Sequence, residues 1–481
     1  MTIAQLARAT SASLILAAVC GGLPRATAAA DAPPPNIIFI LADDLGYGDL
    51  GCYGQKQILT PHIDRLAREG LRFTDFYAGS TVCAPSRCVL MTGYHTGHCS
   101  IRGNSKQNLR PEEITLAEVL KDAGYATGLF GKWGLGHEGS SGVPTRQGFD
   151  AFFGYLDQHH AHNYYPAYLM KNEDRFPLKN VVPGDGDFGS GVATTKAEYS
   201  HDLIAAEALK WLDRQQKDQP FFMYLAFTTP HANNEAGKKG MEVPDLGPYA
   251  DKDWPDPQKA HAAMITRMDA DVGRLLQKLK QLGVDENTLI FFSSDNGPHA
   301  EGGNDPQFND SNGPLKGIKR DLTDGGIRVP FIARWPGKIA AGKTSGFVGS
   351  FVDMMPTLAE LSGTAGAMPK DIDGISIVPT LLGKADVQKQ HDYLYWAFYE
   401  RGGGQAVRMG KWKAVQQPIT SPVRLFDMAA DIGEERDVAG QHQDVVARAA
   451  AAMKEAYRPS DQWKFPEASA GGGKAKGKKA N

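Results

Sequence analysis

Cysteine is scarce, 5 in 481 residues, so no dense disulfide framework holds this chain and its stability has to come from a buried core. Charge imbalance is also small. A formal net charge of −3 at pH 7 argues against a nucleic-acid binder. Long hydrophobic runs are missing as well. The apolar stretch "SLILAAVC" (13–20) is too short for a permanent membrane anchor, and no later segment reads as one. With Arg8 before it and the small residues "ATAAA" (26–30) after it, this stretch reads as a signal peptide over 1–30. The bulky Val19 before Cys20 weakens a lipoprotein reading. The mature chain is expected to begin near Asp31, in the periplasm or outside the cell. Cys52, Cys83, Cys88 and Cys99 then remain, enough for two disulfides, or for at most one if Cys83 is chemically special.

What is present is a series of apolar runs with one design. "NIIFILADD" (36–44) and "TLIFFSSDNGPH" (288–299) are continuous hydrophobic stretches ending in polar residues, as strands buried on both faces do. "PFFMYLAFTTPH" (220–231) ends in His231 and "YATGLFGKWGLG" (125–136) carries Lys132. Helical patterns lie between them at 114–124, 202–216 and 261–283. Strand–helix alternation predicts an α/β fold, a doubly wound and mainly parallel sheet over 34–385. Ligands of such sheets bind at the carboxyl ends of the strands. Residues 391–399 and 405–417 alternate like antiparallel strands about Gly402–Gly404, and 443–459 reads as a helix, giving a smaller C-terminal α+β subdomain over 386–468. The Gly/Lys-rich tail, 469–481, is expected to be disordered.

Each polar cluster has an ordinary reading of its own. "ADD" caps loops, "SDNG" is a turn with Gly297 at positive φ, and a histidine after Thr-Thr-Pro is commonly a surface residue. Together, Asp43, Asp44, Asp295 and Asn296 form a set of hard oxygen donors suited to Ca²⁺ or Mg²⁺ rather than zinc. "TVCAPSRCVLMTG" (81–93) adds a cysteine at a helix start. Pro85 suits the first helical position and Gly93 the C-cap, which puts Cys83 just ahead of the helix N-terminus. A thiol there is expected to be acidified, with Arg87 one turn on to clamp an anion; a buried cysteine beside a salt-bridged arginine is the alternative.

These residues resemble the sulfatase family of the alkaline-phosphatase superfamily, from about residue 35 to about 440. "CAPSRCVLMTG" looks like the family's Cys-x-Pro-x-Arg signature, accompanied by "ADDLGYGDLGCYG", "GKWGLG", "TTPH", "SDNG", "LKGIKRDLTDGGIRVP" and "RLFDMAADIGEERDVA". The resemblance implies an alkaline-phosphatase-like fold whose small subdomain is a four-stranded antiparallel sheet with a helix. It implies that Cys83 is oxidised to Cα-formylglycine by a maturation enzyme. One hydroxyl of the aldehyde hydrate attacks sulfur, and the other collapses back to the aldehyde and ejects sulfate. Asp43, Asp44, Asp295, Asn296 and residue 83 match the divalent-metal shell, usually Ca²⁺, one per chain. Arg87 is expected to steady the formylglycine, and Lys132 and Lys319 to bind sulfate oxygens. A protonated His231 is expected to donate to the departing alcohol. Lys319, five residues before Asp324, fits the family pattern better than Lys316, which reads as a solvated neighbour.

Two departures stand out. Gly134 replaces a histidine of the family pattern, with His137 either a substitute or a loop residue, and Asp324-Gly325-Gly326 replaces Glu-Gly-Gly. The substrate reading rests on "GYLDQHHAHNYYPAYLMKN" (154–172), dense in rings and hydrogen-bonding tips, as a sugar pocket requires. His159, His160, His162, His299 and Glu301 are its candidate contacts, against a histidine-rich surface loop as the alternative. The expected activity is exo-acting desulfation of carbohydrates, with 4-sulfated galactose or N-acetylgalactosamine ends first. The rivals are a broad arylsulfatase, a phosphate or phosphonate monoester hydrolase on the same scaffold, and a non-catalytic carbohydrate-binding protein with unmatured Cys83.

Overall fold

The computed structural model describes residues 34–184 and 186–466. The stretch read as a signal peptide (1–30), Cys20 with it, and the Gly/Lys-rich tail lie outside the described residues. A ten-stranded sheet runs in the order Lys343–Ser345, Leu71–Phe73, Phe331–Arg334, Thr288–Ser294, Asn36–Ala42, Phe221–Ala226, Ala126–Lys132, Ala151–Tyr155, Tyr168–Lys171 and Asp174–Pro177. Its centre is parallel: 36–42 pairs with 221–226 and 288–294, and 126–132 pairs with 221–226 and 151–155. Phe331–Arg334 is antiparallel to both neighbours, and the 168–177 hairpin closes the other edge antiparallel. The mainly parallel sheet expected from the alternating runs is therefore present.

The apolar runs are continuous because both faces of the central strands are covered. Along 36–42, Ile37, Phe39 and Leu41 enter one core while Ile38, Ile40 and Ala42 enter the other. The first core packs against helices Cys83–Thr92, Leu116–Asp122 and Met354–Ser362, through Val89, Leu90, Leu120, Met354 and Leu358. The second packs against Pro61–Arg68, Ser200–Leu212 and the 27-residue helix Asp256–Leu282, through Ile63, Leu66, Trp211, Met268, Leu275 and Leu279. Each such side chain contributes roughly 1.5–3 kcal/mol by leaving water. Thr115 closes a capping box with Glu118 at the start of its helix, a reciprocal bond that fixes where that helix begins.

The C-terminal region forms a four-stranded antiparallel sheet, Leu394–Phe398, Gly404–Met409, Trp412–Gln416 and Arg424–Asp427, with helix Gln443–Ala456 on one face. The stretch 405–417, expected as one strand, is a hairpin turning at Gly410 with φ 53°. The two faces of this sheet do different things. Tyr395, Val407, Ala414 and Leu425 meet the helix, while Trp396, Phe398, Val415 and Phe426 join the first core of the large sheet. Trp396 also donates its indole N–H to the Ala78 carbonyl at 2.8 Å. No helix among the described residues is long and apolar enough to cross a membrane.

Candidate active site

Because 36–42, 126–132, 221–226 and 288–294 are mutually parallel, their carboxyl ends deliver polar residues to one edge. Asp43 and Asp44 follow the first, Lys132 ends the second, His231 follows the third, and Asp295 and Asn296 follow the fourth. Helix Cys83–Thr92 points its N-terminus at the same place. It starts two residues earlier than expected, with Val82 as N-cap and Cys83 the first helical residue, and Gly93 closes it at φ 72°. Gly297 does not take positive φ. It is needed because a Cβ would come 1.8 Å from the Gly325 carbonyl oxygen, and its N–H donates to Gly326 O at 3.0 Å. That close approach locks the loop bearing Asp295 and Asn296 to the Asp324-Gly325-Gly326 turn.

The charged groups interlock. Arg87, fully buried, donates through Nε and Nη2 to Asp295 Oδ2 at 3.0 and 2.8 Å and through Nη1 to Lys132 O at 2.8 Å. It therefore organises the carboxylates rather than clamping a ligand. Lys132 Nζ lies 2.6 Å from Asp43 Oδ2. Lys319 Nζ reaches Asp44 Oδ2 at 2.7 Å, His231 Nε2 at 3.1 Å and Glu301 Oε2 at 3.1 Å. One ligand atom each from Asp43, Asp44, Cys83 and His231 falls within 4.8 Å of the others.

A divalent cation fits this set. Asp43 Oδ1 and Asn296 Oδ1 are buried without a hydrogen-bond partner, a cost of about 1–3 kcal/mol each if nothing meets them. Asp295 is pushed up to about 7, by burial first and then by the Asp43 charge. Asp44, which burial alone would raise, is held well below the usual carboxylate range by Lys319 and His231. Asp43, Asp44 and Asp295 thus crowd three carboxylates around oxygens that point at one another's charge, the arrangement a hard cation relieves.

A Sulfatase family model matches residues 35–364, and an N-sulphoglucosamine sulphohydrolase C-terminal model matches residues 318–458. The chain belongs to the sulfatase family. It is 34% identical to human arylsulfatase A, over 89% of this chain and 86% of that protein. It is 33% identical to N-acetylgalactosamine-6-sulfatase of the dog, over 91% and 81%. Among solved structures, Ps i-CgsB in complex with k-i-k-neocarrahexaose superposes with a TM-score of 0.74 at 27% identity, covering 90% of this chain and 95% of that one. This sulfatase is accordingly a sulfuric ester hydrolase, and the alkaline-phosphatase-like architecture expected from its motifs is the one observed.

Two electrostatic expectations are corrected. The Cys83 thiol is not acidified: burial pushes it up to about 11, outweighing Lys132 nearby. His231 is not protonated at rest. Burial and then the Lys319 charge hold its pKa well below the ordinary value. Its Nδ1–H donates to Ala232 O at 2.7 Å, so Nε2 is an acceptor facing Lys319.

The sulfatase's candidate sugar contacts divide. His162 enters the site: its ring stacks on His231 at 4.9 Å and 13°, and Nδ1 lies 3.2 Å from Glu235. Glu301 enters through Lys319. His160 does not; it is buried, and its Nε2–H donates to Tyr168 O at 3.0 Å. His299 is a wall, with Nε2–H on Pro230 O and Nδ1 accepting from Glu301 N. His159 is half-exposed beside Asp157, 3.4 Å away. His137 is a loop residue, 3.3 Å from Asp157 and stacked on Phe188. Lys316 pairs with Glu435 at the surface, at 3.2 Å. Cys52, Cys83, Cys88 and Cys99 are all free thiols, so the two disulfides that four cysteines would allow do not form, and the limit of at most one is kept.

Some functional neighbours carried no sequence signal. Asn104 accepts the Ala84 N–H at 3.1 Å and reaches Cys83 Sγ at 3.9 Å from a loop 21 positions away. Gln158 occupies the space beside Gly134: a Cβ there would come 2.0 Å from its Nε2. Only the absence of a side chain at Gly134, where the family pattern has histidine, hinted that another residue fills that volume.

Proposed function

We propose that this sulfatase removes sulfate from carbohydrates, using residue 83 as Cα-formylglycine and a divalent cation, Ca²⁺ before Mg²⁺, held by Asp43, Asp44, Asp295, Asn296 and residue 83. The observation that carries the reading is the meeting of Cys83, Asp43, Asp44 and His231 within ligand distance of one another, flanked by Lys132 and Lys319. When bound, such a cation polarises a sulfate oxygen and favours an ionised hydroxyl at residue 83. Lys132 and Lys319 carry fixed positive charge to where the sulfate oxygens gain negative charge, in a buried site where each contact counts for more than in water. His231 Nε2, an acceptor at rest, is poised to take a hydroxyl proton from residue 83 and return it to the departing alcohol. Asn104 steadies residue 83 from outside the helix.

Sugar recognition falls to His162 and Glu301. The relatives named N-acetylgalactosamine-6-sulfatase and the neighbour solved in complex with k-i-k-neocarrahexaose support a sugar substrate, which we take to be a terminal sulfated galactose or N-acetylgalactosamine, sulfated at C4 or C6. The N-terminal signal pattern supports maturation and action in the periplasm or outside the cell, after a formylglycine-generating enzyme has modified Cys83.

The test begins with mass spectrometry of the peptide containing residue 83 from native-host protein, which should carry the aldehyde and react with a hydrazide. Cys83→Ala should abolish turnover with the fold intact. A panel of 4- and 6-sulfated galactose and N-acetylgalactosamine sugars should outperform 4-nitrophenyl sulfate and 4-nitrophenyl phosphate, and His162→Ala should erode that preference. Full activity with a free thiol at 83 would sink the mechanism; better turnover of the aryl sulfate than of every sugar would make this a broad arylsulfatase.

A further inference from the structure

Arg320 follows Lys319 and adopts a left-handed backbone, φ 79°, a conformation that strains a residue with a Cβ. The conformation is enforced from both sides. The Arg320 N–H donates to Thr81 O at 3.0 Å, two residues before Cys83. Its carbonyl accepts from Gln417 Nε2 at 2.9 Å, while Gln417 Oε1 takes the Leu322 N–H at 2.8 Å. Glycine would satisfy this turn without strain, so the backbone gives no reason for arginine and the reason lies in the side chain.

That side chain stands beside Lys319. Arg320 Nη1 lies 2.5 Å from Glu301 Oε1, and the other oxygen of the same carboxylate takes Lys319 Nζ at 3.1 Å. One carboxylate thus holds two cations roughly 5–7 Å apart, two hydrogen bonds across its own width. Glu301 is itself fixed by its N–H on His299 Nδ1 at 3.0 Å. The two cations differ in access. The Lys319 side chain is 2% exposed and that of Arg320 19%, placing Lys319 at the floor and Arg320 at the rim. Among the described residues the guanidinium bonds only Glu301, through Nη1. Its Nε–Nη2 edge, the planar fork that matches sulfate or carboxylate bidentately, is uncommitted.

We propose that Arg320 is a specificity-determining residue. While Lys319 meets the scissile sulfate, Arg320 takes a second anionic group of the same substrate, a sulfate or carboxylate on a neighbouring carbon or the neighbouring sugar. The inference rests on the carbohydrate reading above and narrows it to sugars carrying at least two negative charges.

The test compares wild type, Arg320→Gly and Arg320→Lys, each with its formylglycine content measured. Substrates are a monosulfated disaccharide, its disulfated counterpart, a monosulfated disaccharide bearing a uronate, and 4-nitrophenyl sulfate. Wild type should favour one of the two dianionic sugars, and which one it favours separates sulfate from carboxylate. In Arg320→Gly the ratio of kcat/KM for that sugar over the monosulfated one should fall at least tenfold, mainly through KM. The thermal midpoint should hold or rise as the left-handed strain is relieved. Arg320→Lys should recover only part of the ratio. An unchanged ratio overturns the inference while leaving the carbohydrate reading standing. Equal losses of kcat on 4-nitrophenyl sulfate and on the dianionic sugar overturn it too, because Arg320 would then only steady Lys319 through Glu301. Turnover of the aryl sulfate with no sugar processed overturns the carbohydrate reading itself.

Discussion

Two buried ionic clusters lie on either side of the loop that carries Lys319, and they are built to opposite ends. In the active site, Asp43 Oδ1 and Asn296 Oδ1 have no partner, and Asp295 is driven up to about 7 by burial and a neighbouring carboxylate. Behind the loop, Asp324 joins the C-terminal sheet to the catalytic core and is fully answered. Lys413 Nζ meets its Oδ1 at 2.6 Å, and Tyr77 OH and Arg328 Nη1 meet its Oδ2 at 3.1 and 3.2 Å. Its N–H donates to Glu434 Oε2 at 2.5 Å, and Lys413 lies 3.1 Å from Glu434 Oε1, an ion pair without hydrogen-bond alignment. Both clusters pair aspartates with lysines and arginines out of water. The difference lies in what faces the unbonded oxygens: in the closed cluster Glu434 Oε1 still stands against the Lys413 charge at 3.1 Å and Asp324 keeps both oxygens bonded, whereas in the open one Asp43 Oδ1 and Asn296 Oδ1 have no hydrogen-bond partner.

The comparison breaks most visibly at Asp295. Asp295→Asn keeps the shape and leaves Arg87 its ion pair with Asp43, 3.5 Å away, yet removes a charge from the open cluster. Turnover should fall by roughly 10²–10³-fold, as when one preorganised electrostatic contact is lost. The rise in thermal midpoint on adding Ca²⁺ should vanish with it, since a cation that binds only the folded state stabilises by mass action. A variant that keeps the Ca²⁺-dependent shift would show the cation to be held elsewhere.

In the closed cluster the same kind of change should strike stability first. Lys413→Met leaves Glu434 buried without its cation and Asp324 with Arg328 alone, at a cost of about 3–5 kcal/mol, read as a lower denaturant midpoint. A Ca²⁺ response comparable to wild type should survive in the folded fraction. Loss of Ca²⁺ response without loss of stability would reverse the roles assigned to the two clusters.

The closed cluster also carries a pH signature. Burial raises Glu434 to about 7 from an ordinary value of 4.5, so the folded state holds its proton where the unfolded chain has lost it. The stabilisation is complete below about pH 4.5 and is lost as pH rises to about 7, by up to roughly 3 kcal/mol. Glu434→Gln should flatten the stability profile in that window, measured by urea unfolding at several pH values. An identical slope in the variant would remove Glu434 from the account.

The smallest effect is expected outside both clusters, at Gly134. Gly134→Ala places a methyl against Gln158 Nε2 at φ 79°, costing about 1–2 kcal/mol for the left-handed backbone plus the displacement of one amide. The double variant with Gln158→Ala should recover the packing part but not the backbone part. Full recovery would mean that strain at Gly134 is negligible.

Much of this was legible along the chain. The buried strands announced themselves as uninterrupted apolar runs, because a strand covered on both faces has no polar side to show. The oxygen donors at their ends followed from the parallel order, and the Cys-x-Pro-x-Arg segment with its companions pointed to the sulfatase family. The 405–417 hairpin was missed since its two strands alternate in one continuous pattern and only Gly410 marks the turn.

What the sequence by itself determined, then, was which residues could supply chemistry and which strand ends would carry them. Only the tertiary structure decided their directions and their charge states. His160 and His162 are two positions apart, yet one donates to the Tyr168 carbonyl and the other stacks on His231. Cys83 sits at a helix N-terminus, but packing from the surrounding segments buries it and raises its pKa. Arg320 drew no reading of its own from the sequence; Thr81 and Gln417, from distant parts of the chain, fix its backbone in the left-handed region. The physical reason is the same each time. Periodicity and turn chemistry are local, whereas desolvation and hydrogen-bond partners are set by whichever remote segments arrive.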